Sequence, residues 1–310
     1  MNKRNTEASA LREFFQEQIE HLQKLLDSRQ QEKLAQKQQK AELSQAVESL
    51  VEGTDSRLRL ISSYQKMLRS STGELLNHIQ DLVSAMPPPQ AINYASLVSN
   101  PQVSKLFANY AAVQRLFAQS PDIKEFFNSE QYKDCDEVYA LLFMNMREKN
   151  ILGADIENDI IVRDVQQTHV NFYGHQLISA RENEQQIRLE MKHTLFESVI
   201  KYLKIQITHQ RHQLPDEEKI KHANNPQLNI NNPEVYIKML CEQLGKPTIL
   251  IGLQDNQIRL SNMCIKLPLE SEVSSDVLQL YELEVGDHTR LVNLVSYPRS
   301  EFDDSGEKFN

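Results

Sequence analysis

Glycine is scarce in this chain, with eight in 310 residues, and the eight are scattered. Phosphate cradles of the P-loop or dinucleotide type need glycines clustered at a strand-to-helix turn, where backbone N–H groups can approach the phosphates. The lack of any cluster speaks against ATPase, GTPase and nicotinamide-dependent chemistry. Cysteine is scarcer still. Cys135, Cys241 and Cys264 are far apart, odd in number and without CxxC spacing, which offers neither a disulfide framework nor a zinc ribbon and fits a reducing compartment. Long apolar runs are missing as well. None approaches the ~18 residues of a membrane span, and the opening MNKRNTEASALREFF carries charge but no apolar core for a signal peptide. The expectation is a soluble cytoplasmic protein with no membrane partner and no cofactor.

Cationic charge is also in deficit, at a net -9, which argues against general coating of nucleic acid. The imbalance sits at one end: residues 226–310 carry 7 Lys and Arg against 13 Asp and Glu.

What the chain has in quantity is helix-forming residues. From Glu7 to Val51 there is no Pro and no Gly, and the stretch is filled with Ala, Leu, Glu, Gln, Lys and Arg. One helix of that length would reach roughly 65 Å at about 1.5 Å per residue. Leu11, Phe15, Ile19, Leu22 and Leu26 advance by threes and fours and so share a face. A Gln-rich middle follows, and the seam resumes at Ala41, Val47, Leu50 and Val51. The pattern predicts an arm that self-associates or binds another helical protein, as a coiled coil or, with the second helix predicted from about Ser56 to Met86, as a helical hairpin. Pro87, Pro88 and Pro89 end that helix.

Two matching starts lie in the next segment, Asn100-Pro101 and Ser120-Pro121, each a capping residue before a proline at the first helical position. The pair loosely resembles the short Asp-Pro helical repeats of heat-shock co-chaperones; two capped helices of an ordinary bundle are the plainer reading. Leu106, Phe107, Leu116, Phe117, Phe126, Phe127, Tyr139, Leu142, Phe143 and Met146 are its expected helical core. The β-branched and aromatic residues from Asp159 to Tyr173 predict two short strands, 159–165 and 168–173, meeting at Gln166-Gln167. A helix before such a hairpin also suits a winged-helix unit. A long helix is then predicted from about Arg181 to His212, a linker from Pro215 through the Asn-rich NNPQLNINNP run, a helix from Pro233 to Leu244, and a small antiparallel sheet over 247–297 with a turn at Asp255-Asn256.

The fold class expected from these readings is mainly α: an N-terminal arm over 1–86, a central helical body over 91–213 with a short β element, a linker over 214–232, a small α+β domain over 233–298 and a disordered acidic tail over 299–310. The function expected is that of a non-enzymatic interaction or scaffold subunit and homo-oligomer, with the Leu11 to Leu26 seam as contact. The alternative is a nucleic-acid-associated subunit using the winged-helix-like region and Lys201, Lys204 and Arg211 on one helix face. A third is a metal-dependent enzyme. His169, His175, Glu190, His193, His209 and His212 are its weak candidates, with a single ExxH at Glu190 and His193, whereas helical di-metal sites need two.

Overall fold

The computed structural model describes residues 36–157, 160–213, 232–271 and 273–302. Its chain divides into two units, Met1–Gly73 with Ile220–Cys241, and Glu74–Lys219 with Glu242–Asn310.

In the first unit, helix α1 covers residues 36–54. Val47, Leu50 and Val51, the end of the predicted seam, are all buried. Thr54 Oγ1 donates to the Leu50 carbonyl at 2.6 Å. Asp55 then caps a short 3-10 turn, Ser56–Leu60, by accepting the Arg57 N–H. Helix α2, Tyr64–Ala85, starts in this unit and ends in the second. The Glu48 carboxylate on α1 accepts from the Tyr64 hydroxyl at 2.5 Å and the Gln65 amide at 2.7 Å. The Tyr64 bond leads the causes that hold Glu48 below the usual carboxylate range. The seam residues Leu11, Phe15, Ile19, Leu22 and Leu26 lie outside the described residues.

The second unit corrects the expected fold class. It is built on a seven-stranded sheet, so the chain is not mainly α with a helical arm. Its elements are β1 Gln90–Ala91, α3 Tyr94–Ser99, α4 Pro101–Leu106, α5 Tyr110–Gln119, α6 Pro121–Asn128, β2 Glu137–Glu157, β3 Ile160–Arg181, α7 Glu184–Gln213, α8 Pro233–Leu244, α9 Pro247–Leu250, β4 Ile251–Ser261, β5 Lys266–Leu267, β6 Ser275–Val285 and β7 His288–Pro298. Helix α8 begins in the first unit. The strand order is β3-β2-β7-β6-β4-β5, antiparallel throughout, with β1 parallel beside β7. The strands expected as a separate C-terminal sheet therefore belong to one sheet with β2 and β3, and no winged-helix unit forms.

Tyr139, Leu142, Phe143 and Met146, expected in a helix, lie in β2. The reason is burial on both faces. Val138, Ala140, Leu142 and Met144 point to one side and Leu141 and Phe143 to the other, and all are buried. Such a strand is a continuous apolar run without the period of two that marks a half-buried one. The run Leu291–Tyr297 of β7 has the same character, being buried at every position.

Strand β3 is one element of 22 residues, not two short ones. Its register with β2 slips three times, and at each slip β3 carries one residue more than β2. The left-handed residues Asp164 (φ 58°), Gly174 (φ 66°) and Ser179 (φ 62°) fall at those slips. Each is a bulge that bends the strand and deepens its twist. The bending lets the sheet close: an isolated bridge joins His169 of β3 to Ile265 beside β5, the two ends of the strand order, and the Val170 N–H donates to the Cys264 carbonyl at 2.9 Å.

Helices α3–α6 pack on the inner face. Their Val103, Leu106, Val113, Phe117, Ile123 and Phe126 share a core with Val138, Leu142, Phe172, Leu260, Leu280 and Tyr297 of the strands. Helices α4 and α6 begin at Pro101 and Pro121, as the cap-proline spacing predicts. Gln102 of α4 bonds β6 where β7 no longer flanks it, accepting the Gln279 N–H at 2.9 Å and donating to its carbonyl at 2.6 Å. Helix α7 packs against β2, β3 and β6. The β6–β7 hairpin turns on Gly286-Asp287 with Gly286 at φ 56°, the requirement of a type II′ turn.

Asp255-Asn256, expected as a turn, lies within β4, paired to Tyr281 and Leu280. Residues 299–302 continue from β7 as a helical turn where a disordered tail was expected. Glu301 accepts the Tyr94 N–H at 3.0 Å and the Tyr110 hydroxyl at 2.7 Å, and Phe302 lies 4.8 Å from the Phe127 ring.

Candidate functional site: the distal β2–β3 ribbon

Strand β7 pairs with β2 only from Glu137 to Met144. From Asn145 onward, among the described residues, β2 is paired on one side alone, to β3. The two strands run on together as a ribbon past the body of the sheet. Arg147, Glu148, Lys149, Asn150, Leu152, Ala154, Arg163, Asp164 and Gln166 are exposed, and Leu152 keeps 71% of its surface in solvent.

Local contacts stiffen the base and middle of the ribbon. The Arg147 guanidinium lies 4.8 Å from the centre of the Tyr173 ring, a cation–π contact. Glu148 pairs with Lys266 at 2.5 Å. Gly153 has no side chain to displace the Gln167 amide, which fills the space its Cβ would take. That amide reaches across and donates to the Ala154 carbonyl at 3.1 Å.

The two outer edges differ. The β3 edge is interrupted by the left-handed Asp164 and is bonded to Cys264 at Val170. The β2 edge has no bulge of its own, because each extra residue lies on β3. A regular edge presents a row of backbone N–H and C=O groups that require a hydrogen-bonding partner.

The residues singled out from the sequence do not assemble into a centre. His169 sits at the bridge to Ile265. The bulge at Gly174 turns His175 away from the face of His169 and Tyr173. His175 bonds the Leu106 carbonyl through Nε2 at 2.8 Å and stacks on Phe107 at 4.9 Å. Burial pushes its imidazole below the usual range, against the opposing pull of that bond. Glu190 is held by Arg181 at 2.5 Å, whereas His193 and His209 are exposed on α7. Lys201 and Lys204 are exposed, Lys201 lying 3.7 Å from Glu197. The side chains of Arg211 and His212 are outside the described residues. Among the described residues no group of three or more His, Cys, Asp or Glu lies close enough to hold a metal ion, and no helix is long and apolar enough to cross a membrane.

A polar cleft of about 430 Å³ lies between α6 and the end of β3, lined by Asp122, Glu125, Tyr132, Ser179 and Arg181 among others. Asp122 accepts the Ser179 N–H at 2.7 Å, and so holds the left-handed Ser179 in place. The lining contains no His, Cys or Lys, so no imidazole stands beside its hydroxyls to act as a general base.

The ribbon was not legible in the sequence. MREKN reads as a solvated helix face, and only the β-branched run of β3 signalled a strand that needed a partner of equal length. Comparison with protein-family models, with curated proteins and with solved structures gives no match.

Proposed function

We propose that this chain acts by binding another polypeptide, and that the distal β2–β3 ribbon makes the contact. The observation that carries this reading is the unbulged β2 edge from Asn145 to Glu157, which continues beyond the last residue that β7 pairs. Pairing such an edge with an added strand satisfies its backbone groups and draws specificity from alternate side chains. The exposed Leu152 supplies an apolar anchor in the middle of it.

The test is a photoreactive amino acid placed at position 152 of the full chain and, as a control, at the exposed Ser84 of α2. Irradiation in the producing cells is expected to give a discrete covalent adduct with a polypeptide at 152 and none at 84. Equal labelling at both positions, or no adduct at 152, overturns the reading.

A further inference from the structure

The charge pattern of the β2 edge identifies its partner. Positions 147 and 149 carry the cations Arg147 and Lys149, and positions 155 and 157 carry the anions Asp155 and Glu157. All four are odd-numbered, so they belong to one face of the strand. Between them stands Leu152. From these positions we infer that the β2 edge pairs with the β2 edge of a second copy of this chain, antiparallel, about a two-fold axis through Leu152. This rests on the reading of the ribbon as an interaction surface and gives it an occupant.

In an antiparallel pair the residues opposite one another lie on the same face of the sheet. With the axis at Leu152, Arg147 of one copy stands opposite position 157 of the other, and Lys149 opposite position 155. Each cation meets an anion, twice over by symmetry, and Leu152 stands against its own copy. Moving the axis to Ile151 pairs Arg147 with position 155 but leaves Lys149 opposite Gly153. Moving it to Gly153 carries the partner of Arg147 beyond the end of β2 at Glu157. In-register parallel pairing sets every charge against itself, which is unfavourable. The pattern thus favours one orientation and one register and penalises the others. The β3 edge has no such self-complementarity, and its bulge at Asp164 blunts it against strand addition. Isologous two-fold contacts of this kind close at the dimer. Two short strand segments bury little area, which places the contact among the weak, concentration-dependent ones.

The experiment is sedimentation equilibrium on full-length chains from micromolar to about millimolar concentration, a range suited to weak pairing. Three variants are compared with the parent. One carries Arg147→Glu with Lys149→Glu, leaving an all-acidic edge. A second carries Asp155→Lys with Glu157→Lys, leaving an all-basic edge. The third carries all four substitutions and restores self-complementarity with the charges exchanged. The parent and the fourfold variant are expected to dimerise. Each twofold variant alone should be weaker by about tenfold or more, since all four cross-strand pairs become like-charged. An equimolar mixture of the two twofold variants should recover the dimer, because acidic then meets basic at both ends.

Dimerisation of the twofold variants at the parental strength overturns the inference, as does a failure of both the mixture and the fourfold variant to recover it. A parent that stays monomeric throughout also overturns it. If position 152 still forms its adduct, but with a different protein, the self-pairing falls while the interaction reading stands. No adduct with any chain removes both.

Discussion

Replacing Arg188 by Met should cost the second unit much of its stability, and the reason lies at the end of α2. The last carbonyls of a helix have no intrahelical donors, and the residues that follow α2 are Pro87, Pro88 and Pro89, which have no N–H to offer. Arg188 of α7 supplies the donors instead. Its Nη1 donates to the Val83 carbonyl at 2.7 Å, and its Nη2 to the carbonyls of Met86 at 3.0 Å and Pro87 at 2.9 Å. Its Nε donates to Glu184 at 2.8 Å. Hydrogen bonds to a charged group contribute about 1.5–3 kcal/mol each where water cannot substitute. The guanidinium is 22% exposed, so water can reach part of what it leaves, and three lost carbonyl bonds amount to about 2–4 kcal/mol. That corresponds to a fall of roughly 5–12 °C in Tm for a unit of this size. Arg188→Lys should lie between, since an ammonium keeps the charge but cannot fork to three carbonyls. Urea titration followed by circular dichroism measures the difference. A Met variant within about 0.5 kcal/mol of the parent, the range of an ordinary surface substitution, would refute the assignment of α2's C-terminus to Arg188.

Other substitutions probe other parts of the account. Gly286→Ala should destabilise by about 2–4 kcal/mol, because it strains a left-handed turn position and its Cβ would overlap the Tyr202 ring of α7. Pairing it with Tyr202→Ala should return the steric part only, and an additive double-mutant cycle would show that the two positions do not touch. Arg299 donates to the carbonyls of Cys135, Phe127 and Tyr132 and lies 4.6 Å from the Phe127 ring centre. Arg299→Met should lower the unfolding midpoint by an amount similar to Arg188→Met; an unchanged midpoint would contradict this. His175 has a folded pKa below its ordinary 6.5, so the unfolded chain binds more protons in the window beneath pH 6.5. The contribution of His175 to stability is therefore complete above pH 6.5 and is lost as pH falls towards its folded pKa. His175→Gln should flatten that part of the acid limb, and an identical limb would refute it.

The sequence revealed this fold unevenly, for physical reasons that individual elements show. Helices announced by local chemistry were legible: Asn100-Pro101 and Ser120-Pro121 set the starts of α4 and α6, and the spacing of Leu195, Val199 and Leu203 marked α7. Local signals of that kind do not depend on the rest of the chain. Strand β2 depends on everything else. Its first half is buried on both faces and so shows no alternation, and its second half is charged and exposed. Strand β3 was visible by composition, but the bulges at Asp164, Gly174 and Ser179 break the period of two, and the unbroken length was lost with it. The bulge at Gly174 also undid the shared face read for His169, Tyr173 and His175. The one edge that the fold leaves open owes its openness to where β7 ends, which no local window contains.

Amide hydrogen exchange across residues 145–157, followed from dilute to concentrated solution of the full chain, tests the central claim most directly. Amides of β2 that point towards β3 are protected at every concentration. The account predicts that the alternate set, pointing away from β3, gains protection as concentration rises, with Leu152 at the centre of the protected stretch. Rapid exchange of that alternate set at every concentration would contradict pairing of the β2 edge with a second copy.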